Sequence, residues 1–189
     1  MTFEGLLQNR KDAIVQRWLD AALASYPKDP SAMFKRQKDP FANPVGHGLR
    51  MGTRGIFEAL LEGMGLDGMD AEKIHRSLCE IVKVRAVQEF SASEAVSFVF
   101  CLKDAVRAEL AEATADQRFL PEFTKLETQI DQIALAAFDV YVECREQLFE
   151  LRVNEAKRRV AWVVEKMNKR GSDREETPDH ALTAEDTDG

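Results

Sequence analysis

Apolar residues recur along this chain at steps of three and four, and the apolar/polar alternation of strands is missing, so the pattern predicts an all-α protein. The first helix is expected from about Phe3 to Ser25, with Leu6, Leu7, Ile14, Trp18, Ala22 and Leu23 on one side, and Tyr26-Pro27 ends it. Pro27, Pro30, Pro40 and Pro44 then punctuate a basic stretch, which reads as a loop anchored by Phe34 and Phe41. Asn43-Pro44 has the form of a helix start, an N-cap residue followed by proline. The helix it opens carries Leu49, Ile56, Leu60 and Leu61 and stops in Gly63-Met64-Gly65. Gly46, Gly48, Gly52 and Gly55 weaken that helix by on the order of 1 kcal/mol each. Their use is expected to be the close approach of a neighbouring helix.

Asp70 is expected to cap a helix running through Phe90, and Ser91 with Glu94 has capping-box spacing for the next, which reaches about Ala115. From Leu120 to Arg170 no glycine occurs and no proline follows Pro121, which predicts one helix of roughly 50 residues, about 75 Å long at 1.5 Å per residue. Its first part is expected to pack through Phe123, Leu126, Ile130, Ile133, Ala137, Phe138, Tyr141, Leu148 and Leu151. Beyond Arg152 the apolar positions narrow to Val153, Ala156, Val160, Val163 and Met167, the seam of a coiled coil rather than a globular face. A projecting, dimerising rod is the expectation, against an amphipathic end that folds back. The expected organisation is a helical bundle of about five helices over residues 1–152, the projecting helix over 153–170, and a disordered acidic tail over 171–189.

Composition narrows the classes. In 189 residues, 44% hydrophobic, no apolar run approaches the roughly 20 residues of a membrane span, and the N-terminus lacks the apolar core of a signal sequence. A cytoplasmic protein without membrane insertion is the expectation. Cys79, Cys101 and Cys144 stand at long spacings without a metal-ligand partner and read as buried, reduced packing residues, with a redox switch as the alternative. No phosphate-binding loop, dinucleotide fingerprint, zinc-protease motif or nucleophile elbow occurs, so no catalytic residue, metal ligand or cofactor site is expected. His75 shares an apolar helical face with Ile74, Leu78 and Val82 and is the single position from which haem ligation is conceivable.

Charged residues on expected core faces stand out. Arg85 lies with Leu78, Ile81 and Val82, and Asp131 with Ala134, Leu135, Phe138 and Val142, with Asp139 two turns further on. Buried charges are rarely left alone, so an Arg85–Asp131 pair between two helices is expected, or else a polar sensing cluster of Arg85, Gln88, Asp131, Asp139 and Arg145. Asp139, Glu143, Arg145 and Glu146 read as intrahelical ion pairs, because the Glu-x-x-His pattern of di-iron bundles is absent.

Several stretches together resemble one family. They are Arg17-Trp18 with Tyr26-Pro27; the segment Asp39, Pro40, Phe41, Ala42, Asn43, Pro44, Val45, Gly46; the run from Ile81 to Val96; and, further on, Ile130-Asp131, Phe138-Asp139-x-Tyr141, Cys144-Arg145-Glu146 and Leu151-Arg152-x-Asn154-Glu155. The combination is similar to the RsbRD N-terminal domain of RsbT co-antagonists of bacterial stress signalling, over about residues 5–156. The resemblance implies a sensory or regulatory helical domain, commonly joined by a helix to a STAS or histidine-kinase output. Related stressosome sensors are globin-like without haem and dimerise. Only an acidic end follows the helix here, so the expectation is a sensor or adaptor without its own output, acting on a protein partner as a homodimer. Under this reading the loop of Asp39, Pro40, Phe41, Asn43, Pro44 and Gly46 caps the bundle or meets that partner. The alternative is an accessory subunit of a larger redox or signalling complex.

The net charge of −7 is unevenly spread. Residues 171–189 hold seven acids and one arginine, whereas residues 152–170 hold seven bases and two acids, a local net of +5. Although the acidic total argues against nucleic acid, this basic helix makes an anionic partner conceivable.

Overall fold

The computed structural model describes residues 2–26, 43–65, 68–88, 90–114 and 116–175. The described residues are helical: α1 (Phe3–Asn9), α2 (Lys11–Ala24), α3 (Pro44–Gly65), α4 (Ala71–Val87), α5 (Ala92–Ser97), α6 (Cys101–Glu109), α7 (Ala111–Thr114), a 3-10 turn (Gln117–Phe119) and α8 (Leu120–Glu175). No strand occurs among them. By internal packing the chain divides into residues 1–147 and 148–189.

The helix starts follow the side chains foreseen for them. Asp70 accepts from the Lys73 amide at 3.0 Å, and Asn43 Oδ1 accepts from the Gly46 amide at 2.8 Å. Ser91 and Glu94 form the complete capping box. Two expected helices are broken. The first is interrupted at Arg10, beyond which α1 brings the Phe3 ring to 4.6 Å from that of Phe123. The helix expected over 92–115 tightens at Phe98-Val99-Phe100, where Val99, Phe100, Leu102 and Lys103 each donate three residues back. The Phe98 carbonyl there accepts from the Trp18 indole at 2.6 Å. No proline or glycine lies at 98–100, so composition could not announce this turn.

In residues 1–147, Leu7, Ile14, Trp18, Leu23, Ile56, Phe57, Leu60, Leu78, Ile81, Val82, Phe98 and Leu102 form the core. The face of α8 they meet is Phe123, Leu126, Ile130, Ile133, Ala137, Val140, Tyr141 and Cys144. Three residues expected on that face lie elsewhere: Phe138 and Leu151 are exposed and Leu148 is half-buried. Leu135 and Val142, whose company made Asp131 look buried, are exposed as well. Gly48, Gly52 and Gly55 of α3 face the neighbouring α4 as close packing requires, whereas a Cβ on Gly46 would meet the side chain of Asn43, the cap of its own helix. A Cβ on Gly48 would stand 3.0 Å from the Glu80 carbonyl oxygen, and one on Gly52 would stand 2.5 Å from Ile81 and 2.7 Å from the Ser77 carbonyl oxygen. The α3 backbone thus lies directly against α4.

In residues 148–189, side chains are described through Lys169, and all but Leu148 and Val153 are exposed. The helix continues through Gly171 to Glu175, five residues past the expected end, while residues 176–189 and the disorder expected of them lie outside the described residues. Among the described residues no helix is long and apolar enough to cross a membrane.

Two predictions follow from this packing. Gly52→Ala should destabilise the fold by about 1–3 kcal/mol in urea unfolding, because backbone resists its methyl group. Gly55→Ala should cost less, because a rotatable Ser77 hydroxyl is what it meets first; equal losses would contradict the close-packing account. The Lys11 ammonium, 2.7 Å from Glu58, holds that carboxyl below its usual pKa. The pair therefore stabilises above the ordinary carboxylate range and is lost as pH falls through the folded-state pKa. Lys11→Met should flatten the acid limb of the stability profile by less than about 1 kcal/mol, as both groups are partly exposed; an unchanged acid limb would show the pair to be inert.

Candidate functional site

Arg85 sits in the last turn of α4, where a cation suits the helix C-terminus, and its residue is 0% exposed. Its guanidinium donates to the Glu94 carbonyl at 3.0 Å, the Ala22 carbonyl at 3.1 Å and the Ser25 hydroxyl at 3.1 Å. The rings of Tyr26, Phe90 and Phe98 surround it, with centroids 5.2, 5.3 and 5.0 Å from Cζ. Among the described residues no carboxylate pairs with it, and its Nε is buried without an acceptor. The charge is held by carbonyl dipoles and ring faces instead of by a counter-ion. Burial pulls the Arg85 pKa down and pushes that of Tyr26 up, and each moderates the other.

The cage is fixed from behind. The Tyr141 hydroxyl, on α8, donates to the Phe90 carbonyl at 2.7 Å, and the Phe90 amide donates to the Arg85 carbonyl at 3.3 Å. The Phe98 ring stacks on Trp18 at 6.1 Å and 9°. Arg145, also on α8, donates to the Ala86 carbonyl at 3.3 Å, so a second arginine serves the end of α4. Glu94 offers Arg85 its carbonyl only. Its carboxylate accepts from the amide and hydroxyl of Ser91, which lower its pKa.

The expected polar cluster is only partly brought together. Arg85 and Arg145 converge on the end of α4, and Gln88 is its exposed C-cap residue. Asp131 is not the partner of Arg85: it is exposed and pairs with Lys103 at 2.6 Å. Asp139 is exposed too. The four expected members of an intrahelical ion-pair set, Asp139, Glu143, Arg145 and Glu146, make no ion pair with one another among the described residues, because Arg145 turns to α4 and Glu143 faces His75 at 3.8 Å. His75 is exposed, faces Glu143, and borders a small apolar cavity lined by Met69, Ile74, Ile133 and Ala136. Cys144 is buried, whereas Cys79 and Cys101 are half-buried, and burial raises all three thiols above their usual pKa.

Of the expected capping loop, Asn43 is buried against Gly46 and Pro44 opens α3, while Asp39, Pro40 and Phe41 lie outside the described residues. In the seam of α8, Val153 is half-buried and Ala156, Val160, Val163 and Met167 are exposed. The aromatic cage went unforeseen, because its rings are 64 and 72 positions apart from Tyr26 in sequence. The available signal was that Tyr26, Arg85, Phe90 and Tyr141 all fall within the stretches that carry the family resemblance.

A model of the RsbT co-antagonist protein rsbRD N-terminal domain matches residues 12–156. No curated protein and no solved structure matches the chain.

Both carbonyls that accept from Arg85 have a second donor: Ser25 Oγ on Ala22 and Ser97 Oγ on Glu94. Arg85→Met, which fills the cage without a charge, should therefore cost about 2 kcal/mol or less, whereas Arg85→Ala should cost about 3–5 kcal/mol by leaving a cavity. Urea unfolding of the two variants checks this, and equal losses would show that the hydrogen bonds rather than the packing hold the site.

Proposed function

Because the chain belongs to the RsbRD N-terminal domain family, a family of stressosome-type signalling and regulatory domains, we propose that it is a non-enzymatic sensory and regulatory protein that acts through a protein partner. The observation that carries this reading is the composition of α8. One helix supplies the bundle with Ile130, Ile133, Ala137, Val140 and Tyr141, reaches the cage through Tyr141 and Arg145, and continues as a segment of exposed side chains through Lys169. A change at the cage alters what α8 must accommodate, and packed helices respond by shifting between discrete arrangements. The buried cation gives such a change a sharp energetic signature, since losing one of its contacts is costly where no carboxylate among the described residues pairs with it. Arg85 and Arg145 are the positioning residues in this scheme, and the exposed end of α8 is the output.

The test uses the full chain in its own cells. Tyr141→Phe removes one hydroxyl, costing about 0.5–1.5 kcal/mol, and should leave the helical circular-dichroism spectrum unchanged. The recovery of co-purifying protein should nevertheless change several-fold relative to the unaltered chain. Unchanged recovery from this variant, together with full recovery from Arg85→Met, would contradict a regulatory link between cage and helix.

A further inference from the structure

In the second unit, the seam of α8 consists of the half-buried Val153 and the exposed Ala156, Val160, Val163 and Met167, with Val160 63% and Met167 67% exposed. On a helix of 3.6 residues per turn, Arg152, Arg159 and Lys166 border this seam on one side and Lys157 on the other. No acid borders it. Glu155 and Glu165 lie toward the far face and are engaged along the helix, by Arg159 and Lys169 respectively. Trp162 also lies on the far face, under the Lys166 ammonium at 4.7 Å.

We propose that this seam docks an acidic amphipathic helix of another protein. The flanking charges argue against a second copy. In a parallel pair, Arg152 of one chain would face Lys157 of the other, and Arg159 would face Val164; in an antiparallel pair, bases would face bases. Neither arrangement pairs opposite charges, and like charges across a two-heptad seam select against self-association. A helix with leucine or isoleucine in its seam and glutamate or aspartate beside it satisfies both features at once. The seam runs from Val153 to Met167, about 21 Å at 1.5 Å per residue, so about four turns of partner helix cover it. Nucleic acid would answer the charge but has no use for the valine and methionine seam. The chain's own residues 176–189 are acidic, but their apolar content is Ala181, Leu182 and Ala184, which supply no matching seam. The inference rests on the reading of the chain as a regulatory module with a protein partner, and it specifies that partner's chemistry.

The experiment titrates the full chain with synthetic three-heptad peptides at low and high salt. The probes carry leucine in the seam and either glutamate or lysine at the flanks, beside an acidic peptide of scrambled order and a short DNA duplex. The glutamate-flanked peptide should bind at least tenfold more tightly than the other three, and its affinity should fall with salt. Joint reversal of Arg152→Glu, Lys157→Glu and Lys166→Glu should transfer the preference to the lysine-flanked peptide, and Val160→Asp should abolish binding while the bundle stays folded. Equal binding of the scrambled peptide or of DNA would overturn the proposal, since charge alone would then suffice. So would sedimentation of the full chain as a dimer that Val160→Asp dissociates, or peptide binding that emerges only once the acids of residues 176–189 are neutralised. Should peptide preference hold while seam variants leave the cellular partner complex unchanged, the regulatory reading fails and the docking surface stands; loss of the preference alone leaves that reading intact.

Discussion

The structure of the bundle turns on the buried cation of Arg85, which no carboxylate among the described residues pairs with. Taking a guanidinium out of water costs several kcal/mol even after relaxation, and that cost is offset at Arg85 by two carbonyls, one hydroxyl and three ring faces. These six partners come from four places in the chain: the end of α2 with Ala22, Ser25 and Tyr26, the turn after α4 with Phe90, α5 with Glu94, and the break before α6 with Phe98. The cation therefore sets where four segments meet. It also explains why α5 and α6 are separate helices, since the break at Phe98 places a ring over the guanidinium and a carbonyl under the Trp18 indole.

Two kinds of packing frame this centre. Against α4, the α3 backbone approaches so closely that Gly48 and Gly52 meet carbonyl oxygens, which fixes the spacing of those helices. On the opposite side α8 is held by side chains that reach out to backbone, Tyr141 to Phe90 and Arg145 to Ala86. The α3–α4 contact is made of backbone close packing and tolerates little change, whereas α8 meets the core through apolar side chains such as Ile130, Ile133 and Ala137 and reaches the cage through two hydrogen bonds at the ends of long side chains.

Much of the fold was legible because its causes are local. Asp70, Asn43 and the Ser91–Glu94 box mark their helix starts by short-range hydrogen bonds, and the absence of glycine and proline after Pro121 foretold α8. The glycine spacing in α3 foretold a close neighbour. The site was less legible because its causes are not local. Periodicity placed Arg85 correctly in the core, yet the expected partner was a carboxylate, and Asp131 was the nearest candidate by helical face. That inference failed because Leu135, Phe138 and Val142 are exposed, so the face of Asp131 is a surface, with Lys103 to hand. Aromatic rings and carbonyl oxygens leave no charge pattern for a sequence reading to find. The breaks at Arg10 and Phe98 were equally silent, as tertiary packing alone imposes them.

The central claim is that Arg85 makes the end of α2, the 90–101 segment and the middle of α8 one cooperative unit. Native-state hydrogen exchange on the full chain measures this most directly. The account predicts that amides at 22–25, 94–102 and 140–145 exchange with one common free energy and respond together to Arg85→Met. If the 94–102 amides instead open at much lower free energy than those at 140–145, and the substitution shifts only one of the two, the cage is a local contact and the account is contradicted.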